Sequence, residues 1–282
     1  MSAPSDRATG RAAVETPADQ HLLVERDGPV LVLTMNRPER RNALSPSMME
    51  ALGQAWDEVN ANPDIRVAIL TGAGGSFCAG ADLQAMTQSH PGDAFERSEG
   101  TSELSSGVIK PLLKGFLLDK PLIAAVEGAA VAGGTEILQA TDIRIAGESA
   151  RFGVSEVRWG LYPLGGSVVR LLRQIPYAIA ADLLLTGRHV RAPEAKDLGL
   201  ISEVVPDGTA LERAREVAAT VAANGPVAVQ AVLRALRATE AMPEPEAMRI
   251  DSEIGMRVFM SQDAKEGPLA FMEKRTPQFK GE

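Results

Sequence analysis

The stretch Gly128-Ala129-Ala130-Val131-Ala132-Gly133-Gly134-Thr135-Glu136 decides how this chain is read. An apolar run, Leu122-Ile123-Ala124-Ala125-Val126, leads into it with the composition of a buried strand. Beyond the glycine pair the apolar Ile137 and Leu138 continue a helix start, with Glu136 just inside its first turn. A second segment, Phe77-Cys78-Ala79-Gly80-Ala81-Asp82-Leu83, repeats the design after Val67-Ala68-Ile69-Leu70. In both, the chain leaves a strand and reaches small residues where backbone N–H groups can come close to a bound group. Two such groups converging on one point would hold a developing oxyanion, which points to chemistry on an activated acyl group.

The rest of the chain narrows the setting. At 282 residues it is long enough to bury a sizeable core as one large domain, or one domain with an appendage. A formal net charge of -8 argues against a nucleic-acid or anionic-membrane surface. The single cysteine, Cys78, excludes an internal disulfide, and His21, His90 and His189 stand in no ligand spacing, so nothing suggests a metal site. No apolar run approaches the ~20 residues of a membrane-spanning helix. The first twenty residues lack the apolar stretch of a signal peptide, and Asp6, Glu15 and Asp19 disfavour a transit peptide. A cytoplasmic location is therefore expected.

Residues 1–20 have no apolar period and read as a disordered tail. Strand signals begin near Leu22 and continue in Pro29–Met35. Ser45-Pro46 supplies an N-cap followed by proline at the first helical position, and Met48, Leu52, Trp56 and Val59 recur at helical spacing. Strand, glycine loop and helix alternate from Arg66 to about Arg144, which predicts an α/β or repeating ββα arrangement. The segment Ala85–Lys120 breaks the rhythm and reads as a mobile stretch over a pocket. From Leu211 the pattern turns helical, with a break at Asn224-Gly225-Pro226.

Two acids are candidates for proton transfer. Glu136 has apolar neighbours that would desolvate its carboxyl and raise its pKa, although a first-turn glutamate also complements a helix dipole. Glu156, in Phe152-Gly153-Val154-Ser155-Glu156, follows after enough chain to leave one helix, form a strand and return to the same pocket. Alone it reads first as a solvated loop glutamate; together the two could divide acid and base work. Other chemistries fit less well. Gly128 and Gly133 have the glycine spacing of a phosphate-binding loop, but Gly134 stands where its lysine is needed. Gly72-Ala73-Gly74-Gly75 fails the dinucleotide spacing, and neither Ser76 nor Ser167 sits in a nucleophile elbow. Gly165-Gly166-Ser167 reads as a helix opening, Cys78 as a buried structural thiol, and Asp82 as a helix cap.

Taken in order, Asn36–Leu44, Phe77–Leu83, Ala125–Asp142, Phe152–Pro163 and Asp263–Arg275 resemble the crotonase superfamily, the enoyl-CoA hydratase/isomerase family, over Leu22 to about Phe279. The resemblance implies an α/β fold, a crotonase-like spiral core of repeated ββα units (21–205), and a C-terminal helical oligomerisation region (206–282) that builds trimers or dimers of trimers. It implies an oxyanion hole from the N–H groups of Ala81 and Gly133, and catalytic roles for Glu136 and Glu156 in adding water to a trans-2-enoyl-CoA. Glu156 would protonate C2 and Glu136 would take a proton from the water. No cofactor is implied, because coenzyme A is carried as part of the substrate. It would lie along Arg41, Asn42, Ala43 and Leu44 and along Ala79, Gly80, Asp82 and Leu83, with Phe271 near the adenine and Lys274 near its phosphates. A 3,2-enoyl-CoA isomerase or another acyl-CoA lyase of the family is the alternative, and a non-catalytic CoA- or RNA-binding scaffold a further one. Two departures stand out: Ala132 where many members have glycine, and Ser155 where proline is frequent.

Overall fold

The computed structural model describes residues 20–82 and 109–282. The expected tail, apart from Gln20, and most of the segment read as mobile lie outside the described residues. A six-stranded sheet runs in the order β1 (Leu22–Asp27), β2 (Val30–Met35), β3 (Val67–Gly72), β4 (Leu122–Val126), β6 (Ile143–Gly147) and β9 (Glu203–Val205). The β1–β2 hairpin is antiparallel and every later pairing is parallel. A smaller sheet holds β5 (Ala129–Val131), β7 (Arg151–Gly153) and β8 (Val190–Arg191) in that order.

The parallel strands are apolar at nearly every position because both faces of the large sheet are covered. On β2, Leu31 and Leu33 join the cluster that contains α1 (Pro46–Ala61), while Val30 and Val32 face the other way. The α1 helix starts as its sequence predicts: the Ser45 hydroxyl accepts the Met48 N–H at 3.2 Å, and Pro46 opens the first turn. Its Met48, Leu52, Trp56 and Val59 are fully buried. The opposite face of the sheet is covered by α6 (Ala210–Ala223), whose Ala210, Ala214, Ala218 and Ala222 form a stripe of small side chains against Val32, Ile69, Ile123 and Ile145. The helical region that begins after β9 thus opens with a helix that belongs to the packing of the core.

Between the sheets the chain winds as a spiral. After β4 it crosses into the small sheet as β5, forms the short helix α2 (Gly133–Leu138), and returns as β6. After β6 it crosses again as β7, then returns through α3 (Ser167–Gln174), α4 (Tyr177–Thr186), β8 and α5 (Ala192–Asp197) to β9. The turn before these does the same in miniature, since Cys78 pairs with Ala130 as an isolated parallel bridge beside β5. Successive turns therefore place Cys78, Ala130 and Phe152 in register across the small layer. This is the repeating ββα plan expected from the alternation of strand, glycine loop and helix.

The C-terminal arm consists of α7 (Pro226–Thr239), α8 (Glu244–Phe259) and α9 (Asp263–Met272). The chain bends by 109° between α6 and α7, at the expected Asn224-Gly225-Pro226 break. The last residues fold back on the arm: the Asp263 carboxylate accepts the Lys280 and Gly281 N–H groups at 2.8 and 3.0 Å, and Arg66 donates to the Phe279 carbonyl at 2.8 Å. Among the described residues no single helix is long and apolar enough to cross a membrane.

Candidate functional site

The site forms where three successive turns leave the small layer. Ala81 lies three residues beyond Cys78, Gly133 three beyond Ala130, and Glu156 four beyond Phe152. These are the carboxyl ends of parallel segments, where open α/β sheets leave room for ligands.

The glycines of the opening motifs let the first two turns touch. A β-carbon on Gly134 would stand 2.3 Å from the Cys78 carbonyl oxygen, and one on Gly80 would stand 2.7 Å from the Ala132 β-carbon. Neither distance is tolerable, so only glycine permits this approach. The position of a β-carbon on Gly133 lies 3.7 Å from the Ala81 nitrogen, which makes the two backbones immediate neighbours. Leu44 N–H donates to the Gly80 carbonyl at 2.8 Å and Asp82 N–H to the Leu44 carbonyl at 3.2 Å. In a parallel bridge these bonds use the groups on either side of Ala81, so the Ala81 N–H itself faces away from Leu44. Gly133 is the first residue of α2, so its N–H has no intrahelical partner. Ala132, which precedes it, has φ 49° and ψ −125°, a conformation that glycine normally supplies.

The two acids stand in contrasting surroundings. Glu136 is buried, and desolvation raises its pKa. That rise is opposed by donors from the opening of α3: the Ser167 N–H at 3.3 Å, the Gly165 N–H and the Ser167 hydroxyl, with the Arg170 charge nearby. Glu156 opens a 3-10 turn, Glu156–Trp159, and its pKa is pushed up to about 7, first by burial and further by the charge of Glu136. One of its carboxyl oxygens is buried with no hydrogen-bond partner among the described residues. The two acids therefore share one electrostatic environment, in which one is well supplied with donors and the other is not.

The residues named for coenzyme A fall into separate groups. Arg41 is exposed and Asn42 fully buried, both with left-handed backbone at φ 49° and 56°. The Asn42 side chain is committed to the fold: its Oδ1 accepts the Arg37 N–H at 2.8 Å, and its Nδ2 donates to the carbonyls of Ala73 at 2.9 Å and Ser76 at 2.6 Å. Ala43 and Leu44 run beside Ala79, Gly80 and Asp82. Asp82 pairs with Arg37 at 2.9 Å, and the same Arg37 nitrogen donates to the Ala43 carbonyl at 2.8 Å. Leu83, and any capping by Asp82 of the chain that follows it, lie outside the described residues. Phe271 projects outward from α9 and Lys274 follows in left-handed backbone, both on the C-terminal arm. Cys78 is the buried structural thiol expected, its pKa pushed up to about 12 by burial.

Sequence reasoning missed Arg37, which ties together the two segments named for coenzyme A, and the cluster of Gln139, Ser167 and Arg170 behind Glu136. Arg37 lay within the Asn36–Leu44 match, but an arginine before a proline carries no signal of its partner 45 residues on. Ser167 was read only as the start of a helix, which it is.

Known proteins match this chain over nearly its whole length. The family profile described as enoyl-CoA hydratase/isomerase covers residues 25–282. Enoyl-CoA hydratase EchA19 of Mycobacterium tuberculosis is 63% identical over 269 residues, 95% of this chain and 98% of that protein. Carnitinyl-CoA dehydratase of Salmonella enteritidis is 37% identical over 93% of this chain and 99% of its own. Among solved structures, enoyl-CoA hydratase EchA1 from Mycobacterium marinum superposes with a TM-score of 0.84 at 39% identity, covering 94% of this chain and all of the other. An enoyl-CoA hydratase from Bacillus anthracis does so with 0.86 at 34% identity, covering 93% and 100%. Two turns meeting through glycine, two coupled acids and this breadth of similarity lead to one assignment: the chain belongs to the enoyl-CoA hydratase/isomerase family of the crotonase superfamily.

Proposed function

We propose that this protein is an enoyl-CoA hydratase that adds water across the double bond of a trans-2-enoyl-CoA to give a 3-hydroxyacyl-CoA. The observation that carries the reading is the coupled pair of a buried Glu136 and a half-buried Glu156, two carboxyls with unequal supplies of hydrogen-bond donors. An isomerase moves one proton and needs one acid; addition of water needs a base for the water and an acid for carbon.

The thioester oxygen is received by the N–H groups of Ala81 and Gly133, each donor being worth roughly 3 kcal/mol to the transition state. Because α2 is only six residues long, this stabilisation rests on the N–H groups more than on a helix macrodipole. Polarisation of the carbonyl makes C3 electrophilic. Glu136, ionised, takes a proton from a water held between the two carboxyls, and the hydroxyl bonds to C3. The electrons of the C2–C3 double bond pass to C2, which takes the proton of Glu156. Glu136 ends protonated and Glu156 ionised, and one proton shift across the coupled pair restores the resting state. Coenzyme A lies along Arg41–Leu44 and Ala79–Asp82, held mainly by backbone groups, since the Asn42 side chain is already spent. Phe271 and Lys274 complete its site from a neighbouring copy. Assembly into trimers is supported by the exposed Phe259, Met260, Phe271 and Met272, apolar side chains that a second copy would cover.

The test is loss of the conjugated enoyl-thioester absorbance with crotonyl-CoA and with a longer trans-2-enoyl-CoA, beside Glu136→Gln and Glu156→Gln. Turnover by the wild type that disappears in both variants supports the reading. Turnover only on a 3-enoyl-CoA, surviving Glu136→Gln or Glu156→Gln, would establish the isomerase instead.

A further inference from the structure

Behind Glu136, two buried polar side chains form a chain of contacts to its carboxylate with no role in the chemistry so far described. Ser167 is fully buried at the first position of α3. Its hydroxyl does not cap its own helix. Gln139, 2% exposed at the end of α2, donates from Nε2 to the Ser167 hydroxyl oxygen at 3.1 Å. Ser167 in turn donates its N–H to the Glu136 carboxylate at 3.3 Å, and its hydroxyl opposes the burial-driven rise of the same carboxyl's pKa. The Gln139 backbone carbonyl accepts from Arg144 at 3.0 Å and Gln174 at 2.8 Å, whereas its side-chain Oε1 is buried with no partner among the described residues, so the bond to Ser167 is the one the amide makes there.

We propose that Ser167 is a positioning residue for Glu136, and that Gln139 orients the Ser167 hydroxyl so that its single hydrogen is directed at the Glu136 carboxylate. A hydroxyl has one hydrogen to give. With one lone pair of Oγ accepting from the Gln139 Nε2–H, the hydroxyl hydrogen turns away from that amide and is left for Glu136. Donors stabilise the charged form of a carboxylate. Ser167 therefore keeps Glu136 ionised while Glu156, with an unpartnered oxygen, holds the proton. Among the described residues the other charged groups acting on Glu136 and Glu156 are Arg170, which also donates to the Glu136 carbonyl at 3.2 Å, and the two acids themselves. Arg170 supplies charge to the neighbourhood without touching the carboxyl; Ser167 supplies direction.

The kinetic part of this inference rests on the hydratase reading; the titration part does not. The experiment compares the full-length wild type with Ser167→Ala and Gln139→Met. It reads the Glu136 carboxyl titration by carbon-13 NMR, assigned with Glu136→Gln, and the pH dependence of kcat on crotonyl-CoA. Loss of one hydrogen bond to the carboxylate is expected to raise the Glu136 titration by about one pH unit. The acid limb of kcat should move with it, so that kcat at a pH below that limb falls about tenfold with KM unchanged. Gln139→Met should shift both in the same direction by less. An unshifted Glu136 titration in either folded variant overturns the proposal, and so does a loss of kcat with an unmoved acid limb. Should Ser167→Ala not fold, Gln139→Met decides alone. Should the wild type turn over no 2-enoyl-CoA, the hydratase reading falls while the titration still decides the role of Ser167.

Discussion

Ala132→Gly is expected to make this protein more stable without changing its chemistry. Ala132 sits at φ 49°, ψ −125°, the region used by the first central residue of a type II′ turn and dominated by glycine. Holding a side chain there costs roughly 1–3 kcal/mol. Against this, glycine loses more backbone freedom on folding, about 0.5–1 kcal/mol. The methyl is only half-buried, so its removal costs less than the roughly 0.8 kcal/mol of a fully buried carbon. The balance is a stabilisation of about 0.5–2 kcal/mol, or a few degrees in Tm. The backbone should not move, because the Ala132 N–H donates to the Gly153 carbonyl at 2.7 Å and the Ala132 carbonyl accepts from Thr135 and Glu136 at 2.8 and 3.0 Å. Those bonds hold the Gly133 N–H in place whichever residue stands at 132. Thermal and urea denaturation of both proteins, with the enoyl-thioester assay alongside, gives the answer. A Tm that falls, or does not move, would refute the strain argument.

Three further outcomes follow from the same geometry. Because Glu156 is raised to about 7 and, in the proposed mechanism, carries a proton to act as the acid, turnover should decline as pH rises through about 7. The native state binds that proton more tightly than the unfolded chain, so stability should also fall as pH rises from about 4.5 towards 7, and melting curves of Glu156→Gln across that range should be flatter. Gly134→Ala should cost about 3 kcal/mol or more, since its β-carbon would lie 2.3 Å from a backbone oxygen with no flexible neighbour to yield; a soluble variant with unchanged Tm would contradict the close approach of the two turns.

What was legible in the sequence was whatever depends on neighbours along the chain. Ser45-Pro46 announced α1, and the Asn224-Gly225-Pro226 break announced the bend between α6 and α7, because caps and prolines act within one turn. Glu136 and Glu156 were recognisable as a pair only through the spacing that returns the chain to one place. Their opposite surroundings were not legible, since the donors to Glu136 come from residues 165 and 167, across a connection that sequence pattern does not constrain. Asn42 shows the same limit from the other side. It lies in a segment that resembles a ligand-binding one, yet its amide is consumed by contacts with Arg37, Ala73 and Ser76, and its left-handed φ of 56° is visible only in the fold. The sequence marked α6 as helical but not its stripe of alanines as the packing face, because small residues on a helix signal close packing only once the partner sheet is known.

The spiral also explains why two N–H groups so far apart in sequence should suit a single oxygen. Parallel strands lie about 4.8 Å apart. Two N–H donors that each reach one oxygen at about 2.9 Å, from directions roughly 110° apart, have nitrogens about 4.8 Å apart as well. Cys78 and Ala130 are bridge partners on adjacent turns, and the candidate donors stand at equal distance beyond them. The strand spacing would then set the donor separation, and the turn geometry need only aim the two N–H groups. That leaves little tolerance for a side chain at Gly80 or Gly134, where one would force the turns apart, and it accounts for strain at Ala132, where the peptide carrying the Gly133 N–H is turned. Glu156 emerges one residue further beyond its own register position, on the next turn, which brings an acid rather than a third donor to the edge of the same site. On this argument the proposed hydratase site is a consequence of stacking ββα units at strand spacing, and a substitution that changes the spacing should harm the N–H pair before it harms either acid.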